Sequence, residues 1–101
     1  MRKCGTVAEP SRRLTSRIDR DFDAGTSTEI IGQLSALDTE FYGGQKVERV
    51  QAALVLSSAG SWRRFAASLR LLRTDWRDVL VAGGLADEDW PQRLDAELRS
   101  T

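Results

Sequence analysis

The stretch from Lys46 to Ser58 constrains this chain most. Val47, Val50 and Leu54 recur at helical spacing, and Val55 and Leu56 widen the stripe beyond one face. A helix that is apolar on more than one side must be covered by several neighbours, so the rest of the chain has to wrap it. Gly60 follows as a left-handed cap that ends it. Ser61 then caps a further helix running to about Arg73, with Trp62, Phe65, Leu69 and Leu72 on one face. Residues 45–72 thus read as a central hairpin of helices.

The flanking segments repeat this logic on a smaller scale. Leu14, Ile18 and Phe22 recur every four residues, a thin helical stripe between Ser11 and Phe22 that Asp23-Ala24-Gly25 breaks. Thr26 followed by Glu29 reads as a capping box, with a helix from about Ser27 to Asp38 carrying Ile30, Ile31, Leu34 and Leu37. Thr74 or Asp75 caps a short helix with Trp76, Val79 and Leu80, which Gly83-Gly84 ends. Asp87 or Asp89 precedes Trp90-Pro91, where proline suits the first helical turn, and Leu94 and Leu98 give the last helix a narrow apolar edge. The expected fold class is all-α, a compact bundle of four or five short helices. With 101 residues, 11–101 is read as a single domain behind a flexible basic tail, residues 1–10.

Trp62, Trp76 and Trp90 are spaced by 14 residues each, and each follows a capping-type residue: Ser61, Asp75 and Asp89. The plain reading is three helix starts whose aromatic rings point inward. A duplicated unit or an aromatic ligand site is the sharper alternative.

Composition speaks against chemistry. The chain has no histidine, the commonest general base and metal ligand. Cys4, its lone cysteine, lies in the expected tail, so no intrachain disulfide can form and a reducing compartment, the cytoplasm, is the expectation. Asp87-Glu88-Asp89 lacks the alternating spacing of a calcium loop and reads as an acidic helix start. Neither Gly43-Gly44 nor Gly83-Gly84 belongs to a phosphate loop, and both read as helix terminators. No apolar run approaches the ~20 residues of a membrane span, and the start of the chain lacks a secretory apolar region. The sequence therefore points to a non-enzyme with no cofactor and no metal.

Formal net charge is zero, yet it is blocked: net +4 over residues 1–20, −4 over 21–60, +3 over 61–80 and −3 over 81–101. Such blocks neutralise one another within a fold or serve as docking surfaces. The expected function is binding of a protein partner or self-association, with Trp76, Arg77, Asp78 and Trp90 as candidate interaction residues. Asp75 and Asp78 also flank Arg77 at helical distance, so a local ion-pair cluster is equally natural. Leu71 and Val81 fall off their helix stripes and extend an apolar patch. The alternative is a helix-turn-helix-like DNA binder, whose second helix presents Arg63, Arg64, Arg70 and Arg73 to nucleic acid. The length of its first helix and the zero net charge weigh against it.

Residues Thr74-Asp75-Trp76-Arg77-Asp78-Val79-Leu80-Val81-Ala82-Gly83-Gly84-Leu85-Ala86-Asp87-Glu88-Asp89-Trp90-Pro91, with Glu48-Arg49-Val50-Gln51-Ala52-Ala53 upstream, resemble a group of short bacterial helical proteins of unassigned function. The resemblance spans about residues 26–98. It implies a bacterial cytoplasmic origin and a helical fold, and it carries over no activity and no site residue.

Overall fold

Val47–Ser58 forms α3, which packs against four of the other helices. Val50, Gln51, Ala52, Ala53, Leu54, Val55 and Ser58 are all buried on it, as a helix apolar on more than one side demands. In this computed structural model, which describes residues 9–37 and 45–99, the other helices are α1 (Arg12–Asp21), α2 (Ala24–Ala36), α4 (Trp62–Thr74), α5 (Trp76–Ala82) and α6 (Trp90–Leu98). The fold is an all-helical bundle, and no strand occurs among the described residues. α3 packs against α1, α4, α5 and α6. Leu14 and Ile18, Ile30 and Leu34, Phe65 and Leu72, Val79 and Leu80, and Leu94 and Leu98 bring the five surrounding helices into one core. The segments 1–8, 38–44 and 100–101 lie outside the described residues, and with them Cys4, Gly43-Gly44, the expected helix end at Asp38 and most of the expected tail.

The turn into α4 is tight. Gly60 is left-handed at φ 80°, as expected, but the left-handed stretch begins one residue earlier, at Ala59 (φ 49°, ψ 41°). The Ala59 N–H donates to the Leu56 carbonyl at 3.3 Å, and the Ser61 N–H donates to that of Ser58 at 2.9 Å. A Cβ on Gly60 would also stand 3.3 Å from the carbonyl oxygen of Asp21, so this turn rests on the end of α1.

The end of α5 lies close against α3. The Leu85 N–H donates to the Leu80 carbonyl at 2.9 Å and the Gly84 N–H to that of Val81 at 3.1 Å, with Gly84 left-handed at φ 76°. This pair of bonds is a Schellman motif, and buried Leu80 and Leu85 supply the apolar residues that accompany it. Gly83 is needed for a different reason. A Cβ there would fall 2.6 Å from Ala53 Cα and 2.7 Å from the Ala53 carbonyl oxygen. Two small residues let the end of α5 lie flush on the backbone of α3.

The start of α2 corrects the expected capping box. Asp23, not Thr26, is the cap: its Oδ1 accepts the Thr26 N–H at 2.8 Å, and the helix starts at Ala24. A carboxylate cap on that N–H outcompetes a hydroxyl cap three residues later, and Gly25 is absorbed in the first turn. The same bond holds the Asp23 carboxyl below the ordinary range. The three tryptophans are each the first residue of a helix, α4, α5 and α6. Their rings, however, do not fill the core. Trp76 and Trp90 are partly buried against it, and Trp62 stays 42% exposed. Each of these rings leaves from the first residue of its helix, at the edge of the core.

A candidate interaction surface around Arg49

Arg49 leaves the first turn of α3 toward the loop that follows α5. Its Nε donates to the Leu85 carbonyl at 2.9 Å, Nη2 to the Ala86 carbonyl at 3.3 Å, and Nη1 to Gln45 Oε1 at 2.5 Å. The guanidinium carbon lies 4.8 Å from the centre of the Trp90 ring, a cation–π distance. Burial pulls this guanidinium below its ordinary pKa, though it remains a cation at any physiological pH. Arg49 thus acts as a clamp. It joins the start of α3 to residues 85–86 and holds Trp90 at the start of α6.

One wall of the groove beside this clamp is α5. Trp76 and Leu80, one helical turn apart, line it together with Arg77, Val81, Gln45 and Ala86, around a volume of about 300 Å³. Val81 is 67% exposed, the most exposed large aliphatic among the described residues. The Arg77 guanidinium lies over the Trp76 ring at 5.1 Å. Asp75 caps α5, its Oδ1 accepting the Arg77 N–H at 3.0 Å. The groove therefore combines an aromatic face, an exposed aliphatic side chain and a guanidinium on the rim. That set suits an apolar side chain with an acidic neighbour better than it suits a small polar ligand.

Of the four candidate interaction residues, Trp76 and Arg77 line this groove and Trp90 joins it through Arg49. Asp78 is exposed on α5 but is not part of the lining. Val81 is exposed as expected, whereas Leu71 is partly buried against the core and extends no patch. The clamping role of Arg49 is not visible in the sequence, because the carbonyls it holds lie 36 and 37 residues away.

The arginines of the DNA-binding alternative behave differently. Arg63, Arg64, Arg70 and Arg73 are all exposed on α4, which presents Phe65 and Leu72 to the core. Arg63 and Arg70, seven residues apart, lie on the side opposite Phe65 and Leu72, also seven apart. α4 does follow α3 through a short turn, but α3 is enclosed by helices on several sides.

A second polar cluster ties the bundle together. Arg13 forms a bidentate pair with Glu48, from Nε to Oε2 and from Nη2 to Oε1, each at 2.8 Å, and a third bond from Nη1 to Asp95 at 2.7 Å. Ser11 Oγ donates to Glu48 Oε2 at 2.5 Å. The Arg13 bonds hold the Glu48 carboxyl below its ordinary range, and the two carboxylates raise the Arg13 pKa. Arg17 pairs with Asp21 at 2.8 Å and reaches the Glu97 carbonyl at 2.6 Å. Two arginines of α1 thus fasten α3 and α6, a structural use of charge.

Asp87, Glu88 and Asp89 are exposed ahead of α6. Among the described residues no three Cys, His, Asp or Glu side chains are grouped to hold a metal ion, and no helix is long and apolar enough to cross a membrane. Comparison with family models, curated proteins and solved structures finds no match to this chain.

Proposed function

We propose that this chain is a small non-catalytic protein-binding module, acting in the bacterial cytoplasm, whose partner seats an apolar side chain in the groove between α5 and the start of α3. The observation that carries the reading is Val81, two-thirds exposed beside Trp76 in a groove whose walls Arg49 fixes. A preformed groove lowers the ordering cost of binding, and aromatic and arginine side chains are the residue types that dominate interface energetics. The cytoplasmic assignment rests on the lone cysteine of the sequence.

The test is capture of partners from bacterial lysate by the full chain, with and without nuclease, in parallel with Val81→Glu. The reading expects a defined protein that survives nuclease and is lost on Val81→Glu, since a charge at the groove centre must be desolvated. Retention indifferent to Val81→Glu, or no retained protein, sinks it.

One observation favours a second reading, nucleic-acid binding: α4 carries four arginines and no acid. Four phosphate contacts would make affinity for duplex DNA fall about a hundredfold between 50 and 200 mM salt. Salt-independent binding, or none at low salt, removes this reading.

A further inference from the structure

Trp62 lies on a different face from the Arg49 groove. Its ring is anchored on one side, with its centre 5.8 Å from that of buried Phe65, and its other side is open to solvent. The indole stands where two shallow depressions between α2 and α4 meet. One, of about 330 Å³, is lined by Trp62 with Asp23, Thr26 and Glu29. The other, of about 280 Å³, is lined by Trp62 with Leu69, Arg70 and Arg73 among its residues. The face therefore runs from an acidic end, across an exposed tryptophan, to a basic end.

We propose that this face is a two-fold interface between two copies of the chain, with Trp62 near its centre. In a two-fold contact, residue i of one copy meets residue j of the other, and j meets i. A patch of one charge sign repels its own rotated image. A patch that is acidic at one end and basic at the other, with an aromatic residue at the pivot, matches it: Asp23 and Glu29 of each copy face Arg70 and Arg73 of the other. Tryptophan is enriched at interface centres, where it supplies a large rigid contact surface. The charged ends fix the orientation and make association sensitive to salt. A single-sign partner such as DNA would meet repulsion at the acidic end.

Sedimentation velocity on the full chain over a range of concentrations tests this directly. Wild type forms a closed dimer, and its dissociation constant rises with added salt. Trp62→Ala shifts the chain to monomer. Glu29→Arg and Arg70→Glu, both at exposed positions, each weaken self-association at least tenfold. An equimolar mixture of those two variants forms a heterodimer near wild-type affinity, because both ends then pair opposite charges. The mixture result does not depend on how well the Trp62 variant folds. A wild-type monomer at all concentrations, open-ended growth beyond the dimer, or a mixture that associates no better than either variant alone would overturn the proposal. None of these results depends on the Val81 groove, so the two surfaces are tested separately.

Discussion

α3 and α4 are neighbours of almost equal length, joined by a two-residue left-handed turn, and they spend their side chains in opposite ways. Seven of the twelve residues of α3 are buried, against two of the thirteen of α4. After Glu48 and Arg49 in its first turn α3 carries no charge, while α4 carries four exposed arginines and begins with a half-exposed tryptophan. Helix propensity does not separate the two. What differs is how many sides of each helix are apolar, and that decides which is interior and which is surface. The lesson is a division of labour. Stability resides where other helices close on α3, and the features suited to recognition lie on the outward sides of α4 and α5.

The sharpest way to break that contrast is to attack the buried side of α4. Phe65→Ala should destabilise by about 3–5 kcal/mol in urea unfolding, because the ring is fully buried and the site is walled by helices. A loss well below that range would mean that α4 is as loosely held as its outer face suggests. Gly83→Ala comes next, at about 3 kcal/mol. The added methyl meets the Ala53 backbone, which cannot rotate away as a side-chain tip would. If this variant melted like wild type, α5 would not lie flush on α3.

Glu48→Gln sharpens the comparison through pH. The Glu48 carboxyl is held below its ordinary value of 4.5, chiefly by its hydrogen bonds from Arg13. A lowered carboxylate pKa stabilises the fold fully above the unfolded value, and that contribution is lost as pH falls through the folded value. Both side chains keep some contact with water, so the loss at neutral pH is set at about 1 kcal/mol. The gap between variant and wild type should be constant near neutrality and shrink below about pH 4.5. A gap that widened on acidification would contradict the assignment. Smaller still, Ala59→Gly should stabilise by about 0.5–1 kcal/mol, because Ala59 is held at φ 49° and glycine adopts that conformation without strain. Arg63→Ala, on the outer side of α4, should change stability by less than about 0.5 kcal/mol. Thermal melts read both.

How much of this was legible in the sequence follows the range of each interaction. Helix identities came from local period and caps, and Ser61 and Asp75 cap as expected. The start of α2 is not legible from local pattern, because two capping residues compete within four positions and a glycine in a first helical turn resembles a breaker. Trp62 shares a helical face with Phe65, which points it inward by period alone, but as the first residue of α4 it stands at the edge of the core and stays 42% exposed. The clamp of Arg49 on Leu85 and Ala86, and that of Arg13 on Glu48, join residues 35 or more positions apart, which no periodic pattern records. Trp76, Arg77 and Val81 line one groove, and their proximity is legible because an aromatic residue, a cation and an off-stripe aliphatic within six residues form a local pattern. The charge gradient along the Trp62 face needed α2 and α4 placed side by side.

The most direct test of the division between interior and surface is urea unfolding of Val81→Glu measured beside its partner retention. The account predicts an unfolding midpoint within experimental error of wild type, since Val81 is largely in water already, together with loss of the captured protein. A midpoint lowered as far as that of Phe65→Ala, or a fully retained partner, would contradict it.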